Sequence, residues 1–184
     1  MEAVAERLYS LEEYFAFCET HEGRFEFVNG EIIEMSGETT TSNRIAGNIH
    51  RYLDKVLEDG KYELYQNAVK LRVEEGKVFR IPDFLICEEQ GDAIRYTTLP
   101  LLIVEVLSES TAKVDQFDKL REYSRIESLQ YYLIVAQVRC SVEVYIRDGE
   151  RWYVEGYDKL EDVIKLSYFN TELPISAIYK KVLF

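Results

Sequence analysis

Two carboxylates stand where apolar residues are expected. Asp83 lies in Ile81-Pro82-Asp83-Phe84-Leu85-Ile86-Cys87, and Glu105 in Leu101-Leu102-Ile103-Val104-Glu105-Val106-Leu107. Both runs are rich in branched apolar residues and have the length of strands. A carboxylate buried in such a strand is costly unless it is paired, hydrogen-bonded or bound to a metal. Side chains alternate faces along a strand, so Asp83 shares a face with Ile81 and Leu85, and Glu105 with Ile103 and Leu107. The segment between them, 88–98, is polar and contains Gly91. If it reverses the chain, the strands run antiparallel and the two acids converge. Such a pair repels itself and attracts a divalent cation that prefers oxygen, Mg²⁺ or Mn²⁺. Lys119 follows on the next predicted helix and adds a cation able to orient water or neutralise a phosphate.

Each of these residues also has a plainer reading. Asp83 can close a turn after Pro82. Glu105 can belong to a buried ion pair. Lys119 can pair with Asp115, four residues earlier, on a solvated helix face. Glu26 falls between Phe25 and Phe27, which by strand period places it on the polar face of a hairpin. His21 and His50 are solitary, and no nucleophile–histidine constellation or glycine-rich phosphate loop is present in the sequence.

The elements that must position these groups follow from local pattern. Ser10-Leu-Glu-Glu13 is a capping box opening a helix with the stripe Leu11, Tyr14, Phe15 and Cys18, ending near Gly23. Residues 25–35 form a hairpin around Asn29-Gly30. A second helix carries Ile45, Ile49, Leu53 and Val56 and stops at Gly60. Residues 62–73 predict one strand and 78–87 another, joined at Glu75-Gly76; 101–107 is the next. A helix from about Ala112, capped by Ser110 or Thr111, has the apolar stripe Val114, Phe117, Leu120 and Tyr123. Residues 129–136 then predict a buried strand, parallel to its predecessor across that helix. A hairpin of 141–146 and 151–157 turns at Asp148-Gly149, and 174–184 packs as an edge or a short helix. This order predicts a single domain over 1–184 of α/β (α+β) class: a mixed sheet flanked by helices, with added hairpins.

Pro82-Asp83 followed by Glu105-Val106-Leu107 is similar to the core of the PD-(D/E)XK nucleases. The longer string is more specific. Pro100-Leu101, Val104-Glu105-Val106-Leu107-Ser108, Ser110-Thr111, Asp115, Lys119-Leu120, Tyr123 and Tyr131-Tyr132-Leu133, with Phe25-Glu26-Phe27-Val28-Asn29-Gly30-Glu31 before them, resemble the Uma-two family of that superfamily over nearly the whole chain. The resemblance implies a restriction-endonuclease-like fold and Mg²⁺- or Mn²⁺-dependent cleavage of DNA rather than RNA. It implies Asp83, Glu105 and the backbone carbonyl of Val106 as metal ligands, and Glu26 as a fourth acid. The superfamily's lysine would stand at Leu107; in this pattern Lys119 supplies it. The histidine that often precedes the second helix falls at about Ser42.

Composition bounds the partners. The chain is 47% hydrophobic and 13% aromatic, ample for a core, and its net charge is −12. Affinity for nucleic acid comes mainly from neutralising phosphates, so this charge argues for weak or guided DNA binding. The acidity is uneven: residues 1–40 hold ten acids and two bases. Cys18, Cys87 and Cys140 lack metal spacing and read as reduced thiols, so a cytoplasmic location is expected. No apolar run approaches the roughly 20 residues that span a membrane. The 141–157 hairpin offers an edge for a homodimer. Two rivals to a nuclease remain: a catalytically inactive nuclease-fold binding module, and a domain whose acids make only ion pairs.

Overall fold

The computed structural model describes residues 7–35, 37–57, 60–67, 69–88, 95–107 and 114–184, with backbone alone at 114–116. Two sheets and a small hairpin carry the chain. Helix α1 (Leu11–Thr20) opens with the expected capping box, Glu13 N–H to Ser10 Oγ and Ser10 N–H to Glu13 Oε2. Strands β1 (Phe25–Val28) and β2 (Glu31–Glu34) follow, turning through Asn29 and Gly30 at φ 51° and 94°. Helix α2 (Thr40–Val56) is capped by Thr39.

The next two segments depart from the expectation of one strand each. Residues 62–74 form β3 (Tyr62–Gln66) and β4 (Lys70–Glu74), and the return forms β5 (Val78–Arg80) and β6 (Phe84–Glu88). The four make one long bent hairpin, β4 with β5 and β3 with β6, whose halves belong to different sheets. Two residues explain the break. Asn67 adopts a left-handed conformation at φ 58°, which asparagine tolerates. Pro82 has no N–H to give to a ladder. Asp83 therefore lies in the break, immediately before β6, and not inside a strand.

Strands β7 (Tyr96–Thr97), which the sequence pattern did not reveal, and β8 (Pro100–Leu107) come next. Helix α3 (Val114–Tyr123), β9 (Tyr131–Ala136), β10 (Val142–Asp148) and β11 (Arg151–Tyr157) complete the larger sheet. Its order is β11-β10-β9-β8-β6-β3, with β8 and β9 parallel as expected and β6 antiparallel to β8. The smaller sheet runs β2-β1-β5-β4-β7. Strands β12 (Val163–Leu166) and β13 (Thr171–Pro174) pair with each other, and α4 (Ile175–Ile178) follows.

The faces of the larger sheet are clearly assigned. Phe84, Ile86, Leu102, Val104 and Leu133 pack with Ile45, Ile49 and Leu53 of α2 and with the C-terminal elements. Leu85, Ile103, Tyr132 and Ile134 pack with Tyr123 at the end of α3, with Ile126 and Leu129, and with Leu71 of β4. Helix α1 covers the smaller sheet through Tyr14, Phe25, Phe27 and Phe79. The inner side of α3 departs from expectation in part. Leu120 and Tyr123 of the stripe pack inward as expected, but Phe117 is 72% exposed and Lys119 points inward. Its buried face is given partly to charge. The proposed Ser110 or Thr111 cap, Gly91 and the side chains of Val114 and Asp115 lie outside the described residues. Among the described residues, no helix is long and apolar enough to cross a membrane.

Candidate active site

Both sheet-switching bends of the long hairpin lie side by side, joined by Asn67 N–H to the Asp83 carbonyl at 3.1 Å. The charged residues gather there. Phe84 pairs with Val104 in the β6–β8 register, so Asp83 comes opposite Glu105. Asp83 Oδ2 accepts the Val106 N–H at 2.7 Å, and both carboxylates line one cavity of about 320 Å³ with Val106, Leu107 and Lys119. The alternation expected from strand period thus brings the two acids together.

They are not, however, the unpaired repelling couple that the sequence suggested. Glu105 Oε1 accepts from Lys119 Nζ at 3.0 Å and from the Tyr123 hydroxyl at 2.9 Å. Lys119 and Tyr123 sit four residues apart on α3 and so present to one point. Lys119 Nζ also lies 3.7 Å from Glu26 Oε1. This removes the exposed-pair reading of Lys119, whose side chain is 12% exposed.

Glu26 is a correction as well. It does lie on the β1 face opposite Phe25 and Phe27, but that face meets α3 rather than solvent, and Glu26 is 4% exposed. The β1–β5 register places Phe27 opposite Phe79, hence Glu26 beside Arg80. Arg80 Nη1 binds Glu26 Oε2 at 2.7 Å, and the Ile81 N–H binds Glu26 Oε1 at 3.1 Å. On its other side Arg80 grips Glu122 of α3 with Nε and Nη2, both at 2.8 Å. The sequence did not single out Arg80 or Glu122, and it named Tyr123 and Tyr132 only in the α3 stripe and the family string, without a site role. The available signals were Arg80 three residues before Asp83, and Glu122 and Tyr123 three and four after Lys119. Ser42, where the family's histidine would fall, is buried in the wall of the same cavity.

Burial sets the protonation of these groups. It pushes Asp83 up, against the Val106 N–H and Lys119, which pull it down. It pushes Glu105 up to about 7; Lys119 opposes this, while Asp83 and Glu26 add to it. Burial would lower Lys119, but Glu105 and Glu26 outweigh it and hold the ammonium above its usual range. Glu105 thus holds a proton more readily than an ordinary glutamate, beside a firmly charged lysine. A carboxyl whose folded pKa is raised stabilises the fold below its unfolded pKa, 4.5, and loses that contribution as pH climbs through the folded value. Metal-free protein is expected to lose about 3 kcal/mol between pH 4.5 and 8 from this group, at ~1.4 kcal/mol per unit. Glu105→Gln should flatten that slope in urea unfolding; an unchanged slope would show that Glu105 does not titrate there.

The donor set suits a hard divalent cation. Asp83 and Glu105 supply carboxylate oxygens at one end of the cavity. Among the described residues, no group of three or more His, Cys, Asp or Glu side chains is arranged to hold a metal. Two acids suit Mg²⁺, which keeps several waters and relies on substrate phosphate for further ligands. The cavity has ample room, many times the ~10–15 Å³ one water needs. Tyr132 also lines it, and among the described residues its buried hydroxyl has no hydrogen-bond partner. An orphaned hydroxyl of this kind calls for a bound water or ligand.

Comparison with known proteins shows the family and the fold. A family model for Uma2, described as "Putative restriction endonuclease", matches residues 11–176. "Uncharacterized protein sll1609" of Synechocystis is 32% identical over 146 residues, covering 77% of this chain and 82% of that protein. "Uncharacterized protein slr1290" of the same organism is 26% identical, covering 95% and 93%. The crystal structure of a "putative nuclease" from Anabaena variabilis superposes with a TM-score of 0.75 at 16% identity, over 95% of this chain and 99% of that one. At that identity the likeness shows the fold.

Proposed function

This chain belongs to the Uma2 family, and from that premise we propose that it is a divalent-metal-dependent endonuclease that hydrolyses DNA phosphodiester bonds at the Asp83–Glu105–Lys119 cavity. The observation that carries this reading is the convergence of two buried acids, one in β8 and one at the bend before β6, with a largely buried lysine from the following helix.

Asp83, Glu105 and the Val106 carbonyl would hold Mg²⁺ or Mn²⁺. When bound, the cation would lower the pKa of an attacking water and offset charge on the phosphate. Lys119 replaces the lysine missing at Leu107, reaching the site from α3 instead of β8. With Glu105 and Glu26 as anchors, its ammonium is positioned to orient the water or neutralise the phosphate. Glu26 fixes Lys119 and Arg80 together, and Arg80 ties α3 to the sheet through Glu122. Calorimetric Mn²⁺ titration tests the metal assignment. Wild type should bind, and the double variant Asp83→Asn, Glu105→Gln should lose the heat; undiminished binding by that variant would move the cation elsewhere.

Tyr132 gives a separate test. Among the described residues its hydroxyl has no partner, so Tyr132→Phe should leave the melting temperature unchanged or raised. If that hydroxyl donates to the attacking water or a phosphate oxygen, single-turnover cleavage should fall about 10²-fold. Equal cleavage rates for the two proteins would remove Tyr132 from the chemistry.

A further inference from the structure

A second depression adjoins the cavity and shares Glu38 and Thr39 with it. It is an open groove of about 700 Å³ along α2, lined also by Thr40, Asn43, Arg44, Gly47, Arg51 and Gln66. Its chemistry is that of a polyanion site. Arg44 and Arg51 are exposed and, among the described residues, neither forms an ion pair with a carboxylate. Arg44 donates to the Lys181 carbonyl and Arg51 Nη2 to Asn48 Oδ1, which hold the two side chains in place. The acid in the wall, Glu38, is already occupied by Arg24, Asn43 and Asn67. Thr40, Asn43 and Gln66 add neutral hydrogen-bonding groups. Two arginines thus face this groove in a protein of net charge −12.

Gly47 gives an independent sign that the groove is built. It sits in the middle of α2, where glycine costs about 1 kcal/mol relative to alanine. A Cβ there would lie 3.2 Å from Arg51 Nη1 and within 3.8 Å of the Gln66 amide. The missing side chain gives the Arg51 guanidinium clearance to lie over the helix at this point. From Thr39, at the cavity, Arg44 and Arg51 are about 8 and 18 Å along the helix axis at 1.5 Å per residue. That span matches several nucleotides of a strand.

We infer that this groove binds the sugar–phosphate backbone of the polynucleotide beyond the scissile phosphate. The inference rests on reading the cavity as a phosphodiester site, and it explains how an acidic protein guides DNA to that site. Arg51 is the main phosphate contact, and Gly47 provides its clearance.

The test compares wild type with Arg51→Gln and Gly47→Ala by fluorescence anisotropy of a labelled DNA duplex, with Ca²⁺ in place of Mg²⁺, over a salt series. Both variants should bind several-fold more weakly. Arg51→Gln should reduce the log–log salt slope by about 0.9 for one lost phosphate contact. Gly47→Ala should melt no lower than wild type, because alanine favours the helix. With Mn²⁺, the ratio of DNA cleavage to hydrolysis of bis(p-nitrophenyl) phosphate, a diester small enough to need only the cavity, should fall in both. Variants that match wild type in affinity and salt slope would overturn the inference, as would wild-type protein with no salt-dependent affinity for DNA. If wild type binds with the expected slope, the variants lose it, and neither diester is cleaved, the groove stands and the nuclease reading fails.

Discussion

Lys119→Ala is expected to lower single-turnover DNA cleavage by about 10²–10⁴-fold, the usual cost of losing a proton-handling or electrostatic group. It should also destabilise the metal-free protein by up to about 3–5 kcal/mol, because the change leaves buried carboxylates without their cation. Nζ lies 3.0 Å from Glu105 and 3.7 Å from Glu26. Glu105 can escape part of the penalty by taking a proton, so the loss should be larger at pH 8 than at pH 5. Mn²⁺, by restoring positive charge beside the acids, should recover part of the stability without recovering the rate. A stability loss under about 1 kcal/mol with an unchanged rate is the signature of a solvated ion pair, and would contradict a buried, functional Lys119.

The second large effect is expected at Arg80. Its guanidinium joins Glu26 of β1 to Glu122 of α3, and both its own side chain and that of Glu26 are nearly inaccessible. Arg80→Ala leaves two acids facing a cavity of lost volume and should cost about 3–5 kcal/mol of unfolding free energy. Arg80→Lys should recover only part, because an ammonium cannot reproduce the two-pronged grip on Glu122 while also reaching Glu26. Cleavage should fall with stability in both variants, since α3 carries Lys119. Urea unfolding of the two proteins beside wild type provides the check, and a loss under about 1 kcal/mol for Arg80→Ala would count against the bridge.

The pairing of Asp83 with Glu105 was legible because it depends on the register of β6 with β8 and on one chain reversal, both local matters. The parallel placement of β8 and β9 across α3 was legible for the same reason: a strand, a helix and a strand in succession leave few alternatives. The sheet switch was not. Val78–Arg80 and Phe84–Glu88 read as one apolar run, and only tertiary contact shows that Pro82 divides it between two sheets. The burial of Glu26 was not legible either. Its strand face was assigned correctly, but what covers that face is α3, brought there by residues nearly 100 positions away. The stripe on α3 was legible only in part. Leu120 and Tyr123 pack inward as it predicts, but Phe117 is exposed and the helix gives part of its inner face to Lys119 and Glu122. A polar network of this kind violates the hydrophobic pattern on which helix-face assignment rests, and such violations concentrate at functional sites.

The most direct test of the metal-dependent nuclease account is single-turnover cleavage of supercoiled plasmid DNA with Mn²⁺ by wild type, Asp83→Asn and Glu105→Gln, with a chelated control. The account predicts nicking by wild type that chelation abolishes, and rates at least about 10²-fold lower in both variants. Cleavage that survives chelation or either substitution, or wild-type protein that cuts with no divalent metal, would contradict it.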